Sequence, residues 1–254
     1  MGIDISLGNM EGKEARFGSF YSAFYSAENA AIPAGTNVSV PDSFMPLSGA
    51  AMVLGMNIDA FFGGLGTGWI NMVIFLIITV FIATLMIGRT PEIFGKKIGI
   101  REMQIAVAVV VLQALVPMTL TAISCFVYHY HPGGNDTLAW LSNKGGHGFT
   151  TMLYEYISSY AGNGSEFSGL GNNTPFWNLT TSLVMLSGRF VPIIGAMIIA
   201  GLLRQKQWVS PSPGTLSVDS TTFGAFLLAV IIVVNALSLL IVLILGPIAE
   251  NYLI

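Results

Sequence analysis

Two short stretches of this 254-residue chain have the composition to bind a bare cation through oxygen: Gly35-Thr36-Asn37 and Asn163-Gly164-Ser165. Glycine lets the backbone present consecutive carbonyls, and such a row of carbonyls can replace a cation's hydration shell. The second stretch follows 148–160, which can form about three helical turns, and Ala161-Gly162, where the helix cannot continue. A helix that dips into a membrane and stops there points the negative end of its dipole at the cation. Segment 17–30, rich in small and aromatic residues, followed by Ile32-Pro33-Ala34, repeats that layout ahead of Gly35. Arg189 lies at the midpoint of the apolar run 176–203. An arginine at that depth costs about 2.5–3.5 kcal/mol to insert, so it is expected to face a watery path or a partner acid and to tune cation occupancy.

Other chemistries find less support. His129, His131 and His147 sit at or beyond span ends with no carboxylate or cysteine at ligand spacing, so they read as solvated loop histidines and not as a metal site. Cys125 is the only cysteine and lies in an apolar run, where it packs. Gly63, Gly64, Gly66 and Gly68 form a glycine-dense string. A phosphate-binding loop would need a preceding soluble strand and a Lys-Ser/Thr end, both absent, so the string reads as a hinge or constriction in an interrupted helix. An intramembrane serine protease built on Ser165 or Ser168 would need a histidine at membrane depth, and no span interior contains one.

The elements that hold these residues belong to a bilayer. Hydrophobic residues make up 53% of the chain and charged residues 9%, and the mean hydropathy is +0.72; a soluble domain of this length is far more polar. Four runs, 69–88, 103–127, 176–203 and 223–245, reach the roughly 20 residues that span a hydrocarbon core. Segment 44–58, interrupted by Pro46, Gly49 and Gly55, is too short to cross unaided and reads as a partial or re-entrant helix. Arg89, Lys96, Lys97 and Arg101 follow the first span, and Arg204 and Lys206 follow the third. Basic loops stay cytoplasmic, so 1–43, 128–148 and 251–254 are expected outside. No signal peptide pattern opens the chain. A polar external lead-in with no span before it implies that an upstream transmembrane part is missing or is supplied by another polypeptide.

The expected fold is thus an all-α membrane protein of pore-loop repeats (helix, re-entrant pore helix with filter loop, helix), with four full spans plus re-entrant segments. It divides into an external segment with pore helix and filter loop (1–43), an interrupted inner helix (44–88), a cytoplasmic loop (89–102), a complete repeat (103–203), a second cytoplasmic loop (204–222) and a final span with external tail (223–254).

The strings EGKEARFG (11–18), DSFMPL (42–47), GGLGTG (63–68), IGRTPEIFGKKIGIREM (87–103), NGSEFSGL (163–170), PFWN, GRF and LGPIAE (245–250) resemble, in order, the potassium-binding A subunit of the Kdp potassium-transporting ATPase. The resemblance implies the second half of a four-repeat, channel-like subunit: repeat four complete and repeat three without its first helix. It also implies filter positions at Gly35, Thr36 and Asn37 and at Asn163, Gly164 and Ser165, and a mid-membrane arginine at Arg189. The loop bearing Arg89, Lys96, Lys97 and Arg101 would face a P-type ATPase catalytic subunit that hydrolyses ATP. Small accessory membrane subunits, the missing N-terminal pore repeats and the lipid bilayer complete the implied partners, and no nucleic acid is among them. Potassium would be the transported ligand, no cofactor is implied for this chain, and the location would be the prokaryotic inner membrane. The chain departs from the family at 26–33, where a Thr-rich approach to the third filter is replaced by Ser-Ala-Glu-Asn-Ala-Ala-Ile-Pro. A passive potassium channel or symporter component of the same pore-loop superfamily is the competing expectation, distinguished by flux that needs no ATP.

Overall fold

The computed structural model describes residues 17–58, 66–130, 141–210, 216 and 218–253. Among the described residues the regular elements are helical apart from one small hairpin: α1 (Gly18–Ala31), a 3-10 turn (Pro41–Ser43), α2 (Pro46–Asn57), α3 (Thr67–Ile87), β1 (Glu92–Ile93), β2 (Lys96–Lys97), α4 (Ile100–Tyr130), α5 (Gly146–Ala161), α6 (Pro175–Arg204), α7 (Thr221–Leu243), a π turn (Ile244–Ile248) and α8 (Ala249–Leu253). Among the described residues, four helices are long and apolar enough to cross a membrane: α3, α4, α6 and the continuous run from α7 to Tyr252. Leu179, Met197, Leu237 and Ile241 stand exposed on α6 and α7. Apolar surface of this extent marks contact with lipid or with other chains.

Helix boundaries follow local chemistry. Pro175 opens α6, where its missing amide is harmless, and the Thr174 hydroxyl accepts from the Trp177 amide. Ser220 caps α7 in the same way. Gly88 ends α3 in the left-handed region, its amide returning to Thr84 and Leu85. Pro247 cannot donate to the helical ladder, and the backbone widens into the π turn around it. α2 and α3 are separate helices; Gly63 and Gly64, read as part of the hinge between them, lie outside the described residues, as does His131.

α5 is the hub. Leu153, Tyr154 and Ile157 pack with α2, Phe167 and the end of α7, while Met152, Tyr156 and Tyr160 pack on the other side with Leu170 and with Trp177 and Val184 of α6. A third cluster joins α3, α4 and α7 with Ile199 of α6. α1 is wrapped far less: it buries only Ser22, Ser26, Asn29 and Ala30 and leaves Phe20, Tyr21 and Phe24 exposed.

The segment expected as a plain loop at 89–102 contains the hairpin, with Glu92 opposite Lys97 and Ile93 opposite Lys96. Phe94 and Gly95 both take positive φ, 51° and 70°, which suits a two-residue hairpin turn. The two basic loops meet here. Lys96 Nζ donates to the Leu203 carbonyl at 2.7 Å and to that of Lys206 at 3.2 Å, at the negative end of α6. Val209 donates its amide to Gly95, and Trp208 covers that glycine. Lys206 Nζ sits 2.7 Å from Glu102 Oε1, whose other oxygen accepts the Gly99 amide at 2.8 Å, half of a capping box on α4. Glu102 is buried and Lys206 only partly so. Lys206→Met therefore leaves a buried carboxylate without its cation, and a loss of about 2 kcal/mol is expected, between the limits for exposed and fully buried pairs. Thermal unfolding in detergent measures it; a melting temperature unchanged from wild type would show the pair to be energetically idle.

Candidate functional site

α5 ends at Gly162, which takes φ +69° and donates its amide back to the last turn. The chain then leaves the helical path: Asn163 donates its amide to the Ser158 carbonyl at 3.0 Å, and Gly164 takes φ +85°. Asn163 and Ser165 are buried. The Asn163 side-chain oxygen accepts the Ser165 amide at 3.0 Å and also the Ser165 hydroxyl. Tyr154 donates to that hydroxyl at 2.7 Å, and the Ser158 hydroxyl donates to the Ser165 carbonyl at 2.5 Å. The loop is thus tied down through its side chains. The carbonyls of Gly162, Asn163 and Gly164 accept no hydrogen bond from any described residue.

The loop at 35–37 lies directly against it. A Cβ on Gly35 would meet the Asn163 carbonyl oxygen at 2.1 Å, so the two backbones touch. The Asn163 side-chain amide donates to the carbonyls of Asn29 and Ala30 at 3.0 and 3.4 Å, binding one loop to the helix that leads into the other. Tyr25 donates to Thr36 Oγ1 at 2.9 Å, and Thr36 donates to Asn29 Oδ1 at 2.8 Å. Asn37 keeps a buried side-chain oxygen with no partner among the described residues. Tyr25 precedes Thr36 by 11 positions, as Tyr154 precedes Ser165. Asn29 precedes Thr36 by seven, as Ser158 precedes Ser165. These four bracing residues were not singled out in the sequence, yet a tyrosine and a small polar residue one helical turn apart, at a fixed distance before each loop, are visible there.

Arg189 reaches the end of α5: its Nη2 lies 2.9 Å from where a Cβ on Gly162 would stand. No carboxylate among the described residues pairs with it. With Gly162, Gly164, Asn57, Thr67 and Asn71 it borders a cavity of about 640 Å³. Gly66, at φ +91°, starts α3 beside Thr67, and Gly68 is buried in the first turn. Of the basic residues at the hairpin, Arg89, Lys97 and Arg101 are exposed, while Lys96 is committed to α6.

His147 overturns the expectation of a solvated loop histidine. It is buried, and both ring nitrogens face carboxylates: Nδ1 lies 3.0 Å from Glu250 and Nε2 3.1 Å from Asp42. The partners are more than a hundred residues away in sequence, which is why spacing concealed them. Burial alone would push the imidazole below its ordinary 6.5, but hydrogen bonds to Asp42 and Glu250 and their charges outweigh it and hold the pKa at about 9. Burial likewise pushes the Asp42 carboxyl up, while hydrogen bonds from His147 and Ser142 leave it lowered on balance. The raised histidine contributes stability in full below about pH 6.5 that is lost as pH climbs through about 9, and the lowered aspartate contributes stability that is lost in acid.

A family model described as the potassium-transporting ATPase A subunit, KdpA, matches residues 3–252. The chain belongs to the KdpA family. The potassium-transporting ATPase potassium-binding subunit of Flavobacterium johnsoniae is 50% identical over 258 residues, covering 99% of this chain and 45% of its own length. The subunit of the same name from Bacteroides fragilis is 48% identical over 252 residues (99% and 44%). That from Alicyclobacillus acidocaldarius is 46% identical over 243 residues (96% and 42%). The chain therefore spans less than half the length of these KdpA relatives. Membership bears out the resemblance read from the motifs and establishes an all-α, multi-pass membrane protein of the KdpA type.

Proposed function

We propose that this chain supplies part of the potassium-binding path of an ATP-driven uptake complex, with 35–37 and 163–165 as two adjoining segments of a selectivity filter. The observation that carries the proposal is the pair of braced loops in backbone contact, one of them with three successive carbonyls that accept no hydrogen bond from the described residues. Such oxygens suit a dehydrated monovalent cation. Two loops enclose only part of an ion, and the further pore segments come from outside these residues. Arg189 holds a positive charge beside the cavity next to the loop and limits how many cations occupy it. The basic loops face the cytoplasm across a bacterial inner membrane, with exposed Arg89, Lys97 and Arg101 presented to a P-type ATPase subunit that hydrolyses ATP. Accessory membrane subunits complete the complex.

The test is equilibrium binding of potassium to the intact complex in lipid nanodiscs. Asn163→Ala removes the tie between the loops together with the brace on Ser165; affinity is expected to fall by about tenfold or more, the equivalent of one or two buried hydrogen bonds. A variant that assembles and binds like wild type would remove 163–165 from the site. Potassium uptake that proceeds at full rate without ATP would favour a passive channel component instead.

A further inference from the structure

His147 stands at the start of α5 and its two carboxylates come from elements far apart in the chain: Asp42 from the turn before α2, and Glu250 from α8. Asp42 Oδ2 also accepts from the Ser142 hydroxyl at 2.9 Å, and Ser142 donates its amide to the Gly169 carbonyl in the segment that follows the 163–165 loop. The imidazole lies 5.7 Å from the Phe167 ring, and Phe167 lies 4.5 Å from Tyr154, the residue whose hydroxyl holds Ser165. A continuous line of contacts thus runs from the charged triple to the loop.

A neutral imidazole has one N–H and can donate to only one of two carboxylates, whereas the imidazolium donates to both. The observed arrangement, with a carboxylate oxygen at each nitrogen, is that of the imidazolium. Losing the proton leaves one buried carboxylate facing a lone pair, an unsatisfied acceptor in a dry place. Glu250 Oε2 is already buried without a partner among the described residues, so that side chain has little to fall back on. Among the described residues, Asp42 and Glu250 are the charged groups that act on the ring. α2 and α7 carry no ionisable residue, those of α6 are Arg189 and Arg204, far from the triple, and His129 of α4 and Lys144 border a separate cavity with Gly148 and Phe149.

We propose that Asp42, His147 and Glu250 form a proton-dependent clamp whose positioning residue, His147, holds the 163–165 loop in its cation-binding shape, so that alkaline medium on that side weakens potassium binding. The proposal rests on the function proposed above.

The experiment is potassium binding to the intact complex in nanodiscs from about pH 7.5 to pH 10, for wild type, His147→Ala and Glu250→Gln. Wild-type affinity should fall about tenfold across that range, the equivalent of one buried hydrogen bond, with a midpoint near 9. Glu250→Gln lets a neutral imidazole accept at one nitrogen and donate at the other, so its affinity should stay level through pH 10. His147→Ala should bind about tenfold more weakly than wild type at pH 7.5 and stay at that level to pH 10, where wild type meets it, for the same reason; should it fail to assemble, Glu250→Gln decides the matter alone. Wild-type binding that is flat to pH 10, or a Glu250→Gln profile that falls at the wild-type midpoint, overturns the clamp and leaves the function standing. Absence of potassium binding by wild type at pH 7.5 overturns the function itself.

Discussion

Gly35→Ala is expected to weaken potassium binding on the order of a hundredfold or more, well beyond the loss at Gly164→Ala, even though both glycines have positive φ. At Gly164 a Cβ would meet nothing within 4 Å, and the left-handed backbone alone costs about 1–2 kcal/mol, roughly a five- to thirtyfold loss if all of it falls on the bound state. At Gly35 the same conformational cost is joined by a Cβ 2.1 Å from the Asn163 oxygen and 3.2 Å from its carbonyl carbon. Both are backbone atoms, and the Asn163 side chain is itself anchored to the Asn29 and Ala30 carbonyls. The loop cannot swing aside without breaking those bonds, so the two loops must part, with a loss on the order of a hundredfold or more when strain and lost hydrogen bonds combine. Binding isotherms of the two variants in the same complex give the order directly. Equal losses, or the reverse order, would mean that contact between the loops does not shape the site.

The helices were legible because apolar length is read by the bilayer itself: a run of about 20 residues has no other stable arrangement in hydrocarbon. The ends of α1 and α5 were legible for a different reason, since Pro33-Ala34-Gly35 and Gly162-Asn163-Gly164 break helices that the residues before them favour. Contacts between distant segments left no comparable mark. His147 had no carboxylate at ligand spacing because its partners arrive from residues 42 and 250. Lys96 was expected in a loop facing a partner subunit, yet the hairpin turn at Phe94 and Gly95 aims it at the end of α6. Arg189 sits in the span as expected, but its approach to Gly162 depends on how α6 lies on α5, which only the packing decides. The bracing tyrosines Tyr25 and Tyr154 are the intermediate case. Each acts within its own helix and loop, at a constant interval, and comparison of the two segments residue by residue would have exposed them.

That packing of α6 on α5 makes Gly188→Ala the most damaging single methyl addition outside the loops. A Cβ at Gly188 would lie 2.0 Å from the Tyr160 oxygen, 2.8 Å from its carbonyl carbon and 2.9 Å from its Cα, so the two helices meet backbone to backbone, as small residues allow within membranes. No rotamer change relieves a clash with main-chain atoms. α6 must move off the last turn of α5, at a cost above the 1–3 kcal/mol typical of overpacking against side chains. Because Arg189 is the next residue, the shift also withdraws its guanidinium from Gly162. Gly201→Ala supplies the control on the same helix: a Cβ there meets nothing within 4 Å, and alanine's better helix propensity should stabilise by up to about 1 kcal/mol. Thermal melting of the complex with and without potassium separates the consequences. Gly188→Ala should lower the melting temperature and shrink the stabilisation conferred by potassium, since the loop is held by the helix that has been disturbed, whereas Gly201→Ala should do neither. A Gly188→Ala protein that melts at a lower temperature yet gains the full wild-type stabilisation from potassium would show that α6 supports the fold without shaping the cation site.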